Sequence, residues 1–295
     1  MKMRGLLTTL LLTIMAVALT VLTVVFAPLP LLLVRRNGGR QSFALATTLG
    51  LFIFAVLNVP SYVAIYGGVC LMAYIFSECE NQSMEYSLSA LITVLAVAGY
   101  SAIAVGIAAD RFGFDPIAFM HEQIQQGLAQ LNLPPSMKMD QETILNQVPS
   151  GALMVLVFMV WINSILVRRL EFILSWIPTH VQHIYLLRDF TEWKLPDEFV
   201  WVALASVAGS FIDFKMPVLK IVATNVLNVA AMLYFFQGLA IVVNFFTYKR
   251  VGPVWRVLTY FLIFTQLFMF VAVLGFTDLW LGFRNRFKAD SKTVA

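Results

Sequence analysis

Only 12% of the 295 residues are charged, and the chain holds two cysteines and three histidines. Each scarcity removes a class of function. An ordinary soluble domain carries roughly 25% charged residues, so half that share leaves too little polar surface to face water on all sides. Cys70 and Cys79 supply neither a disulfide framework nor a thiolate metal set. His180 and His183, three apart and near Glu171, Asp189 and Glu192, can share a helix face. A metal ion asks for three or four ligands, however, and an interfacial helix accounts for the pair without one. No cofactor is expected. There is no G-x-x-x-x-G-K-[ST] phosphate loop, so the chain cannot drive ATP hydrolysis itself. H-E-x-x-H, G-x-S-x-G and a voltage sensor's arginine array are also missing. Nothing presents itself as a nucleophile or base, and the expectation is a protein that is not an enzyme.

What is abundant is apolar length: 60% of the residues are hydrophobic. A hydrocarbon core takes roughly 20 apolar residues per helical crossing. By that rule the uncharged runs predict an all-α, polytopic transmembrane helical bundle of about eight spans, with the lipid bilayer as its first partner. The opening stretch, Leu6 to Ala27, is longer than the roughly 7–15 residue core of a secretion signal and reads as an uncleaved first span. Pro28 and Pro30 then interrupt the helix before LPLLLV and the turn RRNGGR. Further spans are predicted over 43–57, 62–76, 88–109, 151–167, 200–212, 217–247 and 257–276.

The formal charge of +4 is spread over loop ends, as in Arg35-Arg36 and Arg168-Arg169. Such pairs read as topology signals and headgroup contacts, not as a nucleic-acid surface. Eight plain crossings divide the 20 basic residues evenly, so charge alone sets no orientation. If LPLLLV dips into the membrane and returns, the balance shifts towards a cytoplasmic N-terminus.

Three regions follow: N-terminal spans over 1–109, an extramembrane segment over 110–150, and C-terminal spans over 151–295. In the middle region Asp115 and Pro116 form a helix start. Ile117, Met120, Ile124, Leu128 and Leu131 then recur at helical spacing, opposite His121, Glu122, Gln123, Gln125 and Gln126. This is an amphipathic helix for the bilayer surface or for protein. Asp140 is placed to cap a second short helix ending at Val148.

Several residues are candidates for function. The run NVLNVAAMLYFFQGLAIVVNFF holds four carboxamides, Asn225, Asn228, Gln237 and Asn244, and no charge. An unpaired amide in hydrocarbon costs several kcal/mol, so each must face protein or a wet cavity. A break at Gly238 would gather the four around one solute site, with Trp161 and Asn163 adding to it; otherwise they are interhelical hydrogen bonds. Ala98, Ala102 and Gly106, four apart, form a face for close helix packing. Asp278, Trp280 and Arg284 make a local ion pair beside an aromatic anchor, or a docking surface for a partner. Asp213 reads as a carboxylate at a span end.

Three stretches carry a family resemblance: KLPDEFVW (194–201), the amide-bearing run, and LGFTDLWLGFRNRF (274–287). Together they resemble the YybS-like family of bacterial predicted membrane proteins, and PLPLLLVRRNGGRQSFAL loosely matches that family's N-terminal element. That element is in turn similar to the S-components of energy-coupling-factor transporters. The resemblance implies an S-component-like core with extra helices in a bacterial cytoplasmic (inner) membrane. It implies a solute-binding or transport-related subunit served by a separate energising protein. The alternative is a non-catalytic scaffold that works with an envelope-assembly protein.

Overall fold

The computed structural model describes residues 3–130, 140–173, 193–212 and 216–284, and of residues 3, 4 and 171–173 the backbone alone. His180, His183, Asp213 and Leu131 lie outside them. Among the described residues every regular element is helical. They are α1 (Met3–Leu22), a 3-10 turn (Val24–Phe26), α2 (Pro28–Val56), α3 (Pro60–Asn81), α4 (Tyr86–Phe112), α5 (Pro116–Gln130), α6 (Gln141–Ile173), α7 (Phe199–Phe211), α8 (Pro217–Tyr248), α9 (Pro253–Thr265) and α10 (Phe268–Leu281).

The all-α polytopic architecture is as expected, but the number of spans is smaller. Six helices are long and apolar enough to cross a membrane, or up to 7 if the bent pair α9–α10 is one span. The expectation of about eight fails at two places. Helix α7 has 13 residues, about 20 Å of helix against roughly 30 Å of hydrocarbon. The run predicted as the last span is α9 and α10, bent by 97° at Gln266–Leu267.

The chain divides into two compact units, Met1–Gln141 with Val155–Leu186, and Glu142–Met154 with Leu187–Ala295. In the first, α1, α2, α3 and α4 pack in sequence order, α1 also touching α3. Pro28 and Pro30 start α2, where a missing N–H costs nothing. Gly39 (φ 68°, ψ −163°) then divides this helix, in a conformation that only glycine adopts readily. The piece before it is buried on every side from Pro28 to Arg36. The piece after it forms an antiparallel hairpin with α3. Phe54 stacks on Tyr62 at 5.5 Å, the Tyr66 hydroxyl donates to the Ala46 carbonyl at 3.1 Å, and Phe43 lies 6.1 Å from Tyr74. Carried one step further from the turn, that register sets Arg40 against Glu78.

In the second unit α8 packs against both α7 and α10. Phe235 stacks on Phe268 at 4.5 Å, and Tyr234 meets Phe276 edge-on at 5.2 Å. Such ring pairs are worth about 0.5–1.5 kcal/mol each beyond burial. Two glycines set the α8–α10 distance. A Cβ at Gly238 would lie 1.9 Å from the Val271 carbonyl oxygen, and one at Gly275 2.0 Å from that of Tyr234. Gly238 is therefore a point of backbone approach. Helix α8 runs unbroken through it for 32 residues, so no break at Gly238 gathers the amides.

Candidate functional site

Asn225 and Gln237 are held by backbone groups that a proline or a non-helical stretch leaves without a ladder partner. Pro149 lies inside α6, where a proline removes one ladder bond and crowds the next. Asn225 reaches this point from α8. Its Oδ1 accepts from the Ser150 N–H at 2.8 Å, and its Nδ2 donates to the Asn146 carbonyl at 2.7 Å. Those two groups are the ones an unbroken α-helix would pair with each other, four residues apart. Asn225 thus bridges the interrupted ladder. Asn228 adds a bond from Nδ2 to the Ser150 hydroxyl at 3.1 Å. With the ladder bridged, α6 continues from Gln141 to Ile173, so Asp140 does not head a separate short helix.

Gln237 ties another irregular segment to α10. Its Oε1 accepts from the Leu195 N–H at 2.9 Å, and its Nε2 donates to the Gly275 carbonyl at 3.0 Å. Leu195 precedes Pro196 and lies outside any helix, yet is buried, so its N–H needs such an acceptor. Asn244 donates to Ala240 of its own helix at 3.1 Å. Because α8 is continuous, Asn225 and Gln237 are twelve residues apart along it, about 18 Å. The four amides therefore do not converge as one cluster.

In the first unit, Asn163 donates to Val25 in the 3-10 turn and to Met159, both at 2.7 Å. Here too an amide serves an irregular joint, the one between α1 and α2. Trp161 is buried nearby on the same helix, its ring 6.4 Å from Phe158.

On the small-residue face of α4, Ala98 is half-buried. Ala102 and Gly106 are exposed, and a Cβ at Gly106 would meet nothing within 4 Å. Helix α4 instead contacts α3 through Tyr100, whose hydroxyl donates to Ala64 at 3.0 Å beside Gly67 and Gly68. The aromatic ring fills the space that two glycines leave. Asp278 and Arg284 form an internal pair. Arg284 Nε and Nη2 lie 3.1 and 3.0 Å from Asp278 Oδ2, and Nη1 donates to the Trp193 carbonyl at 2.6 Å. Both side chains are largely buried, whereas Trp280 is exposed.

A different group stands out chemically. Arg35 and Arg36, on the buried half of α2, are 5% and 7% exposed. Arg35 Nη2 pairs with Glu78 Oε2 at 2.8 Å, and Arg36 Nη2 reaches both Glu80 oxygens, at 2.5 and 2.6 Å. Arg40, largely exposed, takes the other Glu78 oxygen at 2.6 Å. The Arg35 guanidinium also lies 5.9 Å from the centre of the Tyr74 ring. Three arginines meet two glutamates, an excess of one positive charge. Among the described residues, the buried side-chain atoms without a hydrogen-bond partner include Arg35 Nε and, one residue before Glu78 on α3, the Ser77 hydroxyl. Arg35 and Arg36 are therefore not exposed headgroup contacts; Gly39 turns them inward onto α3. The signal in the sequence was the match between R-R-x-x-x-R and E-x-E at the open ends of one hairpin, legible once its register is known.

The sequence model of the family described as "Predicted membrane protein (DUF2232)" matches residues 6–279. The chain belongs to that family. No curated protein and no solved structure matches it. Membership covers both units and agrees with a multi-pass membrane protein.

Proposed function

We propose that this family member is a solute-binding, transport-related subunit of a bacterial inner membrane, non-catalytic and without its own ATPase. The likeness to YybS-like proteins and S-components belongs to this proposal, and the missing phosphate loop agrees with it. The observation that carries it is the Arg35–Arg36–Arg40–Glu78–Glu80 cluster. Burying an ion pair costs several kcal/mol per ion and adds little net stability, so such groups near a membrane span call for another role. The amides of α8 bond within their own chain; the cluster has charge to spare. Its positive excess, the Arg35 Nε–H and the Ser77 hydroxyl suit a solute bearing one anionic group.

The second reading is a non-catalytic scaffold or assembly factor of the cell envelope. It is favoured by the engagement of Asn225, Asn228 and Gln237 with their own chain. Native mass spectrometry of the gently solubilised protein separates the two. A small anionic molecule retained by the wild type and lost from Ser77→Ala and Arg35→Lys supports the first. A defined partner chain with no small molecule supports the second and overturns the first.

A further inference from the structure

Helix α5 belongs to neither the charged cluster nor the amide joints. Its start is closely specified. Asp115 Oδ1 accepts from the N–H groups of Ile117 at 2.9 Å and Ala118 at 3.0 Å. The rings of Phe114 and Phe119, the positions before the cap and four into the helix, are 5.4 Å apart. Cap and staple together set the angle at which a chain enters a helix. One residue earlier, Gly113 closes α4 in the left-handed conformation. The direction of α5 as it leaves α4 is thus built into seven consecutive residues, Gly113 to Phe119.

What α5 presents is amphipathic. Ile117, Met120, Ile124 and Leu128 fall within about 80° of arc. No residue of α5 is buried; Ile117 is 58% exposed and the other three are half-exposed. The opposite face holds Glu122 and Gln126, which bond to each other at 3.1 Å.

We infer that α5 lies in the headgroup layer of the bilayer, its apolar face towards the acyl chains, and that it does so without anionic lipid. Helix α4 has 27 residues, about 40 Å against a core of roughly 30 Å. Its last turn carries the exposed pair Asp110–Arg111, which cannot sit in hydrocarbon. That end is therefore at the interface, and α5 begins four residues after Phe112. Its other end leads to α6, a candidate span from Gln141. A segment tied to the bilayer at both ends adsorbs intramolecularly, so it needs no cationic attraction to reach the surface. The polar face is composed accordingly, with no Lys or Arg from Pro116 to Gln130. A peripheral helix that must find the membrane from solution normally carries both.

The test is spin labelling of the full chain in nanodiscs, with Cys70 and Cys79 replaced by alanine and folding checked by gel filtration. Labels at positions 117, 124 and 128 are expected to be accessible to oxygen and shielded from a nickel chelate, and labels at 122 and 126 the reverse. The pattern should be the same in phosphatidylcholine alone and with phosphatidylglycerol added. Ile124→Glu should restore chelate access at position 117. Chelate access at all five positions would place α5 in water. Shielding of 117, 124 and 128 from both reagents would place it against protein. A pattern present only with phosphatidylglycerol would overturn the lipid class. Each of these three results refutes the inference.

Discussion

If Asn225 stands in for a ladder bond that Pro149 interrupts, its worth depends on the proline. In Asn225→Leu, the Ser150 N–H loses its acceptor at a residue only 1% exposed. The Asn146 carbonyl loses a donor too, but Asn146 is exposed, and water or headgroups can replace it. One buried orphan N–H costs about 1–3 kcal/mol. With the second group solvated and Asn225 itself half-buried, the expected loss is about 1–2 kcal/mol. In a Pro149→Ala background the backbone can pair Ser150 with Asn146 directly, and Asn225→Leu should cost at least about 0.5 kcal/mol less. The assay is a double-mutant cycle by equilibrium unfolding in mixed micelles, read by circular dichroism. Equal costs in the two backgrounds, within about 0.3–0.5 kcal/mol, would refute the bridging role.

Three further contrasts follow from the same physics. Gln237→Leu should destabilise by about 1–3 kcal/mol, because the Leu195 N–H has no substitute acceptor. Asn228→Leu should cost near the roughly 0.6 kcal/mol average for interhelical bonds in membranes, since the Ser150 hydroxyl keeps its bond to Gln147; the same unfolding assay ranks them. Gly275→Ala forces α8 and α10 apart and should lose about 1–3 kcal/mol or more. Gly252→Ala, at the N-cap of α9 with nothing within 4 Å, should cost no more than about 1 kcal/mol. Glu80→Gln leaves the Arg36 charge buried and should lower stability by about 3 kcal/mol. Arg40→Gln, at a guanidinium 73% exposed, should cost about 0–1 kcal/mol. Thermal melts in detergent check both.

The features legible in the sequence are those set by solvation and by local geometry. Charge is too sparse for water, so the chain had to be a helical membrane bundle. Asp115-Pro116 had to start a helix, because a cap and a first-turn proline act within four residues. The carboxamides had to find partners, because hydrocarbon offers none. Which partners they found depended on contacts distant in sequence. Asn225 meets Ser150 and Gln237 meets Leu195 across 75 and 42 residues, and hydropathy holds no record of such pairings. The same holds for Gly238, which has the composition of a break and the environment of a seam. It holds also for Arg35 and Arg36, whose pairing reads as surface charge although a left-handed glycine turns them onto Glu78 and Glu80. Periodicity records which face of a helix is apolar; only the packed chain decides what that face, or a charge beside it, comes to rest against.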